Sequence, residues 1–299
     1  MGIPKILKII RIHIVAGGVL AFSLGVLLAI SEGGSFDASR VFFAYVIVLL
    51  GDLSAHYSND YFDVEVDKYI KQKKFFGGSN ILVGNPRLRS ISKSISLFLL
   101  VSSNICAVLL VLFLGAPVVF CILFLFASLV GWIYSAPPLR LVSTGLGEFA
   151  VALVTGFAIP GLGYLAVRGQ FDPLFAYFAV PFVMYGLILS LTLEAPDVDF
   201  DRIGGKTNLV VRKGARNVFF LVAALGVFAT LAFLIAGSLV SSSIDIELVL
   251  IFSLVPLISG LFGLGGVLKR GSVNRFSALS VASLFVFNIL MITYLFSKI

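Results

Sequence analysis

The run Asn59-Asp60-Tyr61-Phe62-Asp63-Val64-Glu65-Val66-Asp67 holds four carboxylates in nine residues and closes an apolar stretch that begins near Val41. A second acidic run, Glu194-Ala195-Pro196-Asp197-Val198-Asp199-Phe200-Asp201, closes another. Carboxylates this close repel one another unless a cation lies between them. Mg²⁺ suits such oxygen ligands, and is commonly held by one or two carboxylates with substrate phosphates and waters completing its shell. Two acidic groups on facing helices can clamp a diphosphate through two such ions. Lysines and arginines in adjoining loops then neutralise the remaining charge.

On a helix, Asn59, Asp63 and Asp67 drift only about 80° and form one stripe. Extending it inward adds His56 and Asp52, the latter roughly 22 Å from Asp67. A carboxylate that deep costs at least ~2.5–3.5 kcal/mol in a bilayer, so it faces a cavity or a partner. The stripe predicts a polar cavity running from the mouth of the protein towards the membrane centre. His56 either lines it or packs in the core. Asp52 fits a proton-accepting role or a hydroxyl-rich ligand better than a ligand with a carboxylate beside it. Glu65 and Asp199 fall off the stripes and are expected in solvent.

The elements that must position these groups are membrane helices. The chain has 299 residues, 59% hydrophobic and 12% charged, against about 25% charged in soluble domains. A spanning helix takes about 20 apolar residues, which gives nine spans, near 13–31, 41–62, 91–114, 117–135, 147–167, 173–195, 218–237, 246–268 and 278–297. The apolar runs are continuous, which favours an all-α bundle over a barrel, and eight spans after the first argue against a cleaved leader. Nineteen of the 22 lysines and arginines fall on one side of these spans; Arg40, Arg168 and Lys298 fall on the other. Positive loops stay cytoplasmic, so the N-terminus is placed inside, the C-terminus outside, and the polar cavity towards the cytoplasm. The net charge of +7 is therefore a topology signal, and nucleic acid is not an expected partner. Residues 3–12 form an amphipathic surface helix or a simple topology anchor. His13 is expected at the interface, and Cys106 and Cys121 inside helices as small core residues. Pro160 is expected to kink its helix. Gly156, Gly161 and Gly163, and Gly260, Gly263, Gly265 and Gly266, are expected to allow close helix packing. Residues 1–299 read as a single membrane domain, with two halves that each carry one acidic group.

These residues resemble the UbiA superfamily of intramembrane prenyltransferases. Asn59, Asp60, Asp63 and Asp67 are similar to its N-D-x-x-D-x-x-x-D motif. Asp197, Asp201, Gly205, Lys206 and Leu209 are similar to D-x-x-x-D-x-x-x-G-K-x-x-L. Tyr134-Ser135-Ala136-Pro137-Pro138-Leu139-Arg140, followed by Gly145, Gly147 and Glu148, is like Y-S-x-P-P-L-R…G-x-G-E. The resemblance implies Mg²⁺-dependent transfer of a prenyl group from a prenyl diphosphate to an acceptor, with two ions held by Asn59, Asp63, Asp67, Asp197 and Asp201. It implies diphosphate contacts at Lys206, with Lys68, Arg140, Ser135, His56 and Asn59, and places Tyr134 beside the allylic carbon. Phe75 to Gly84 looks closer to the menaquinone branch than to relatives with an arginine-rich segment there. The expected acceptor is an aromatic quinone precursor such as a dihydroxynaphthoate; a glycerol-phosphate lipid is the alternative. A cation-coupled transporter using Asp52 and the acidic pairs is the reading from another class.

Overall fold

A computed structural model describes Ile6, residues 9–68, 81–239 and 242–299, without the side chains of His13, Val66 and Asp67. Among the described residues the architecture is all-helical, and nine helical segments are long and apolar enough to cross a membrane. They are built from α1 (Ile12–Ser31), α2 (Ala38–Asp67), α3 (Pro86–Leu114), α4 (Val118–Ser135), α5 (Gly147–Leu153) running through a π turn (Val154–Ala158) into α6 (Ile159–Arg168), α7 (Pro173–Glu194) continuing through a 3-10 turn (Ala195–Asp197) into α8 (Val198–Ile203), α9 (Leu209–Leu239), α10 (Ile246–Leu268) and α11 (Val273–Phe296).

Several helices start earlier than apolarity alone predicts. α3 opens at Pro86 rather than 91, α9 at Leu209 rather than 218, with a break at Gly214, and α11 at Val273 rather than 278. Arginines, lysines or asparagines interrupt their leading residues, so a count of apolar residues misses these turns, while backbone hydrogen bonding continues the helix through them.

The bundle has an inside and an outside. The best apolar window of α5–α6 is 72% buried and that of α3 is 17%. Phe98, Leu112 and Phe113 of α3 stand exposed, an arrangement stable only where the surroundings are themselves apolar. Lipid gives no hydrophobic drive between helices, so close contact must supply it. A Cβ on Gly163 would collide with the backbone of Phe22 in α1, and one on Gly25 with the backbone of Pro160 in α6. A Cβ on Gly156 would meet Phe182 in α7, and one on Gly186 would meet Ala152. Gly260 and Gly263 face Ala223 and Phe219 of α9, and Gly266 faces Phe276 of α11. Gly265 departs from the expectation: its face is open. The π turn lies just before Pro160, which has no N–H to give and would clash with an ideal preceding turn.

Serines fix the rotation of α2. Ser54 Oγ donates to Ser96 O at 2.8 Å, Ser96 Oγ to Ser54 O at 2.9 Å, and Ser92 Oγ to Tyr57 O at 2.9 Å. Ser54 and Tyr57 lie about 140–200° round the helix from Asp52. Anchoring that face on α3 turns the acidic stripe inward. Ile6 and Ile9 bury against Tyr57, Val64 and Leu82, because the gap beside α2 and α3 is apolar; the rest of residues 3–8 lies outside the described residues. Cys106 and Cys121 are free thiols within α3 and α4.

Candidate active site

The charged end of α2 carries the first half of the site. Asn59 Oδ1 accepts from Ser135 Oγ, the last residue of α4, at 2.8 Å. Asp60 is 1% exposed and ion-paired to Arg11, just ahead of α1. Asp63, one turn on, lies 3.5 Å from Arg140 Nη2. Its Oδ1 is buried with no hydrogen-bond partner. Arg140 reaches it from the loop after Pro137–Pro138, with its backbone at φ 40°, in the left-handed region a non-glycine residue enters at a cost of roughly 1 kcal/mol or more. The loop is held by Arg140 N–Ala136 O at 3.0 Å and Ser143 N–Arg140 O at 2.8 Å.

The second half comes from the end of α7. The 3-10 turn at Ala195–Asp197 redirects the helix, and α8 then carries Asp201 inward to 5% exposure. Gly205, at φ 76°, reverses the chain, so that Lys206 N donates to Asp201 O at 2.9 Å and Lys206 Nζ lies 3.0 Å from Asp201 Oδ1. Burial works against the Lys206 ammonium. The carboxylates of Asp63 and Asp201 outweigh it and hold its pKa above the ordinary lysine value. Lys206 thus pairs with the second acidic motif and lies within electrostatic reach of the first, remote in sequence.

Behind them is a buried polar network. Asn208 Nδ2 donates to Asp201 Oδ2 at 3.2 Å and to Glu194 Oε2 at 3.0 Å. Glu148, fully buried, accepts from Leu209 N at 2.6 Å. Tyr134 lies within electrostatic reach of Glu194, Asp63, Glu148 and Asp201.

Of the residues expected at the site, Asn59, Asp63, Ser135, Arg140, Asp201 and Lys206 are joined in these contacts, with Tyr134 among them. Asp197 is half-buried at the close of the 3-10 turn. The side chain of Asp67 and residues 75–80 lie outside the described residues. Lys68 goes elsewhere: its side chain is half-exposed and paired with Glu65, which Arg89 also approaches at 3.5 Å. Lys68 sits one residue past the end of the stripe, and the solvent-facing Glu65 three residues back takes its charge. Glu65 and Asp199 stand exposed, as expected. His56 is buried, with Nε2 3.6 Å from Asp52 Oδ1; it keeps company with Asp52 rather than with the cations. Arg11, Asp60, Glu148, Glu194 and Asn208 escaped the sequence reading as site residues. A signal existed for Glu148 and Glu194, since an acid inside an apolar span needs a partner.

Among the described residues no three His, Cys, Asp or Glu side chains are gathered as a ready metal cluster. The donors present nevertheless fit a hard divalent ion. Asp63 offers a buried carboxylate oxygen without a hydrogen-bond partner, though Arg140 lies nearby, and Asn59 and Asp201 add oxygens of the kind Mg²⁺ prefers.

Asp52 borders a cavity walled by α1, α2, the π turn, α7 and α11. It also borders a second, smaller one between α2, α4 and α6. The expectation of a polar cavity is corrected here. The larger cavity is mostly apolar, with walls of Leu24, Phe182, Phe285 and Phe287; one helix contributed the polar stripe and the facing helices contributed hydrocarbon.

A sequence model of the UbiA prenyltransferase family matches residues 19–289. Over 98 residues, 30% of this chain, the sequence is 34% identical to a probable homogentisate phytyltransferase 2, chloroplastic, of Oryza sativa subsp. japonica, and spans 26% of that protein. The fold is similar to that of a UbiA homolog from Archaeoglobus fulgidus bound to DMAPP and Mg²⁺, with a TM-score of 0.71 at 14% identity over 96% of this chain and 99% of that one. It is also similar to a digeranylgeranylglyceryl phosphate synthase structure, with a TM-score of 0.68 at 16% identity over 98% of both chains.

Proposed function

Because the chain belongs to the UbiA prenyltransferase family, we propose that it transfers a prenyl group from a prenyl diphosphate to an electron-rich aromatic acceptor of the quinone-precursor type, within the membrane and with Mg²⁺. The observation that carries this reading is that Lys206, 3.0 Å from Asp201, also lies within electrostatic reach of Asp63, which Arg140 approaches at 3.5 Å. Cations held beside carboxylates at the rim of an apolar bundle suit a ligand with a highly charged head and a greasy tail. The reading as a cation-coupled transporter falls away with the family.

Asp63 and Asp201 would hold the metal, with Asn59 oriented by Ser135. The chemistry a Mg²⁺ ion would supply there is withdrawal of charge from the diphosphate, which would make it a better leaving group. Arg140 and Lys206 receive the negative charge that grows on the departing oxygens. The Tyr134 ring, set among acids, favours positive charge on the allylic carbon. The apolar walls keep water from capturing that carbon before the acceptor does. The basic loops at this end support a site on the cytoplasmic side.

Purified protein given labelled prenyl diphosphate, Mg²⁺ and an aromatic acceptor should release pyrophosphate and form a prenylated ring. Asp63→Asn and Asp201→Asn should each lower kcat/KM by about 100-fold or more, with the helical circular-dichroism signal retained. Full turnover in either variant removes the assignment.

A further inference from the structure

Two cations of the site come from different loops. Arg140 lies in the connection between α4 and α5, and Lys206 in the connection between α8 and α9. Both act on Asp63, Arg140 from 3.5 Å and Lys206 through its charge, and Lys206 also pairs with Asp201. Like charges brought to one place repel, and here the carboxylates offset that repulsion. In the proposed chemistry those same carboxylates are metal ligands and the two cations meet the diphosphate. The carboxylates are then not free to set the spacing of the cations, and another part of the structure must do so.

The seam between the two loops is built for this. Ser143 O accepts twice from Thr207, from its backbone N at 3.0 Å and from its Oγ1 at 2.9 Å. Thr144 O accepts from Arg212 Nη2 at 3.0 Å, and Glu148 Oε1 from Leu209 N at 2.6 Å. Every donor in these bonds comes from the Lys206 side and every acceptor from the Arg140 side. The seam also runs close to both cations along the chain. Ser143 N donates to Arg140 O at 2.8 Å, closing the 3-10 turn Leu141–Ser143, and Thr207 directly follows Lys206. Packing does not account for Thr207, which stands exposed; its hydroxyl doubles a bond that its own amide already makes. One bond alone is a pivot, whereas two from the same residue fix the angle at which the loops meet.

We propose that the Ser143–Thr207 junction yokes the two loops and fixes the distance between Arg140 and Lys206, so that one diphosphate engages both. Thr207 is then a positioning residue that acts through the two cations. Its hydroxyl contributes geometry to the site and no charge, and a diphosphate, whose two phosphoryl groups are held at a set separation, is the ligand that senses that geometry. This rests on the prenyl-transfer reading for the ligand being a diphosphate, but not on turnover.

Isothermal titration calorimetry of the full chain in detergent, with Mg²⁺ and either inorganic pyrophosphate or inorganic phosphate, tests it directly. Pyrophosphate spans both cations and responds to their spacing; a single phosphate needs only one of them. Thr207→Val should weaken pyrophosphate about fivefold, the scale of one net hydrogen bond, and leave phosphate nearly unchanged. Thr207→Ser keeps the hydroxyl and should restore the pyrophosphate affinity, a rescue that a general loosening of the fold would not give. Unchanged pyrophosphate affinity in Thr207→Val overturns the proposal. So does equal weakening of both ligands, or a Thr207→Ser protein that behaves like the valine variant. If the calorimetric pattern holds and no prenyl diphosphate yields product, the yoke stands and the transfer reading fails. If Thr207→Val forms product with an unchanged KM for prenyl diphosphate, the transfer reading stands and the yoke fails.

Discussion

Lys206 pairs with Asp201 and lies within electrostatic reach of Asp63, and its removal leaves Asp201 without its ion pair in a buried setting. Lys206→Met should therefore reduce kcat/KM by about 100-fold and also lower stability. Its pKa is raised, so the stabilisation it provides is complete below the ordinary lysine value of 10.5 and is lost as pH rises through the higher folded value. The Tm difference between the two proteins should thus be flat from pH 7 to about 10 and shrink only beyond that. A difference that already narrows between pH 7 and 9 would contradict a Lys206 ammonium held by the carboxylates around it. Lys68→Ala serves as the contrast. Its ion pair with Glu65 is exposed, a kind that contributes about 0–1 kcal/mol, and pyrophosphate release should stay within about twofold. Both lysines follow an acidic motif, so local sequence alone does not separate them.

The helices are brought to the site by small residues and held there by serines. Gly163 in α6 touches the backbone of Phe22, and neither backbone can turn aside. Gly163→Ala should destabilise by about 1–3 kcal/mol through overpacking, whereas Gly265→Ala, which meets open space, should leave Tm unchanged or slightly raised. Thermal unfolding of the two variants in the same detergent checks this. The spans themselves were legible because twenty apolar residues in a row admit one reading. Which glycines are buried was not: Gly265 and Gly266 are sequence neighbours, yet only one faces a ring, and that depends on where α11 lies. The redirection at Ala195–Asp197 was equally hidden. Pro196 marks a break, but the angle at which Asp201 re-enters is set by the return of Lys206 and Asn208 upon it.

At the scale of the whole molecule, folding and chemistry draw on separate parts. The bundle is held by apolar contact, close glycines and interhelical serine bonds, none of which involves a divalent ion. Chelation with EDTA should therefore abolish pyrophosphate release, with recovery on adding Mg²⁺, while Tm falls little; a collapse of Tm on chelation would make the ion structural. The sequence by itself determined that the chain is a helical membrane protein with nine apolar stretches long enough to span, that two acidic motifs close two of them, and that Asn59, Asp63 and Asp67 share a helix face, because hydropathy and helical periodicity are local properties. Only the tertiary structure decided that Lys206 would pair with Asp201 within reach of Asp63, that Arg11 would be drawn from a topology signal into an ion pair with buried Asp60, and that Asp52 would open on a mostly apolar cavity. Those outcomes depend on which side chains meet across several helices, and no single segment encodes the surface it will face.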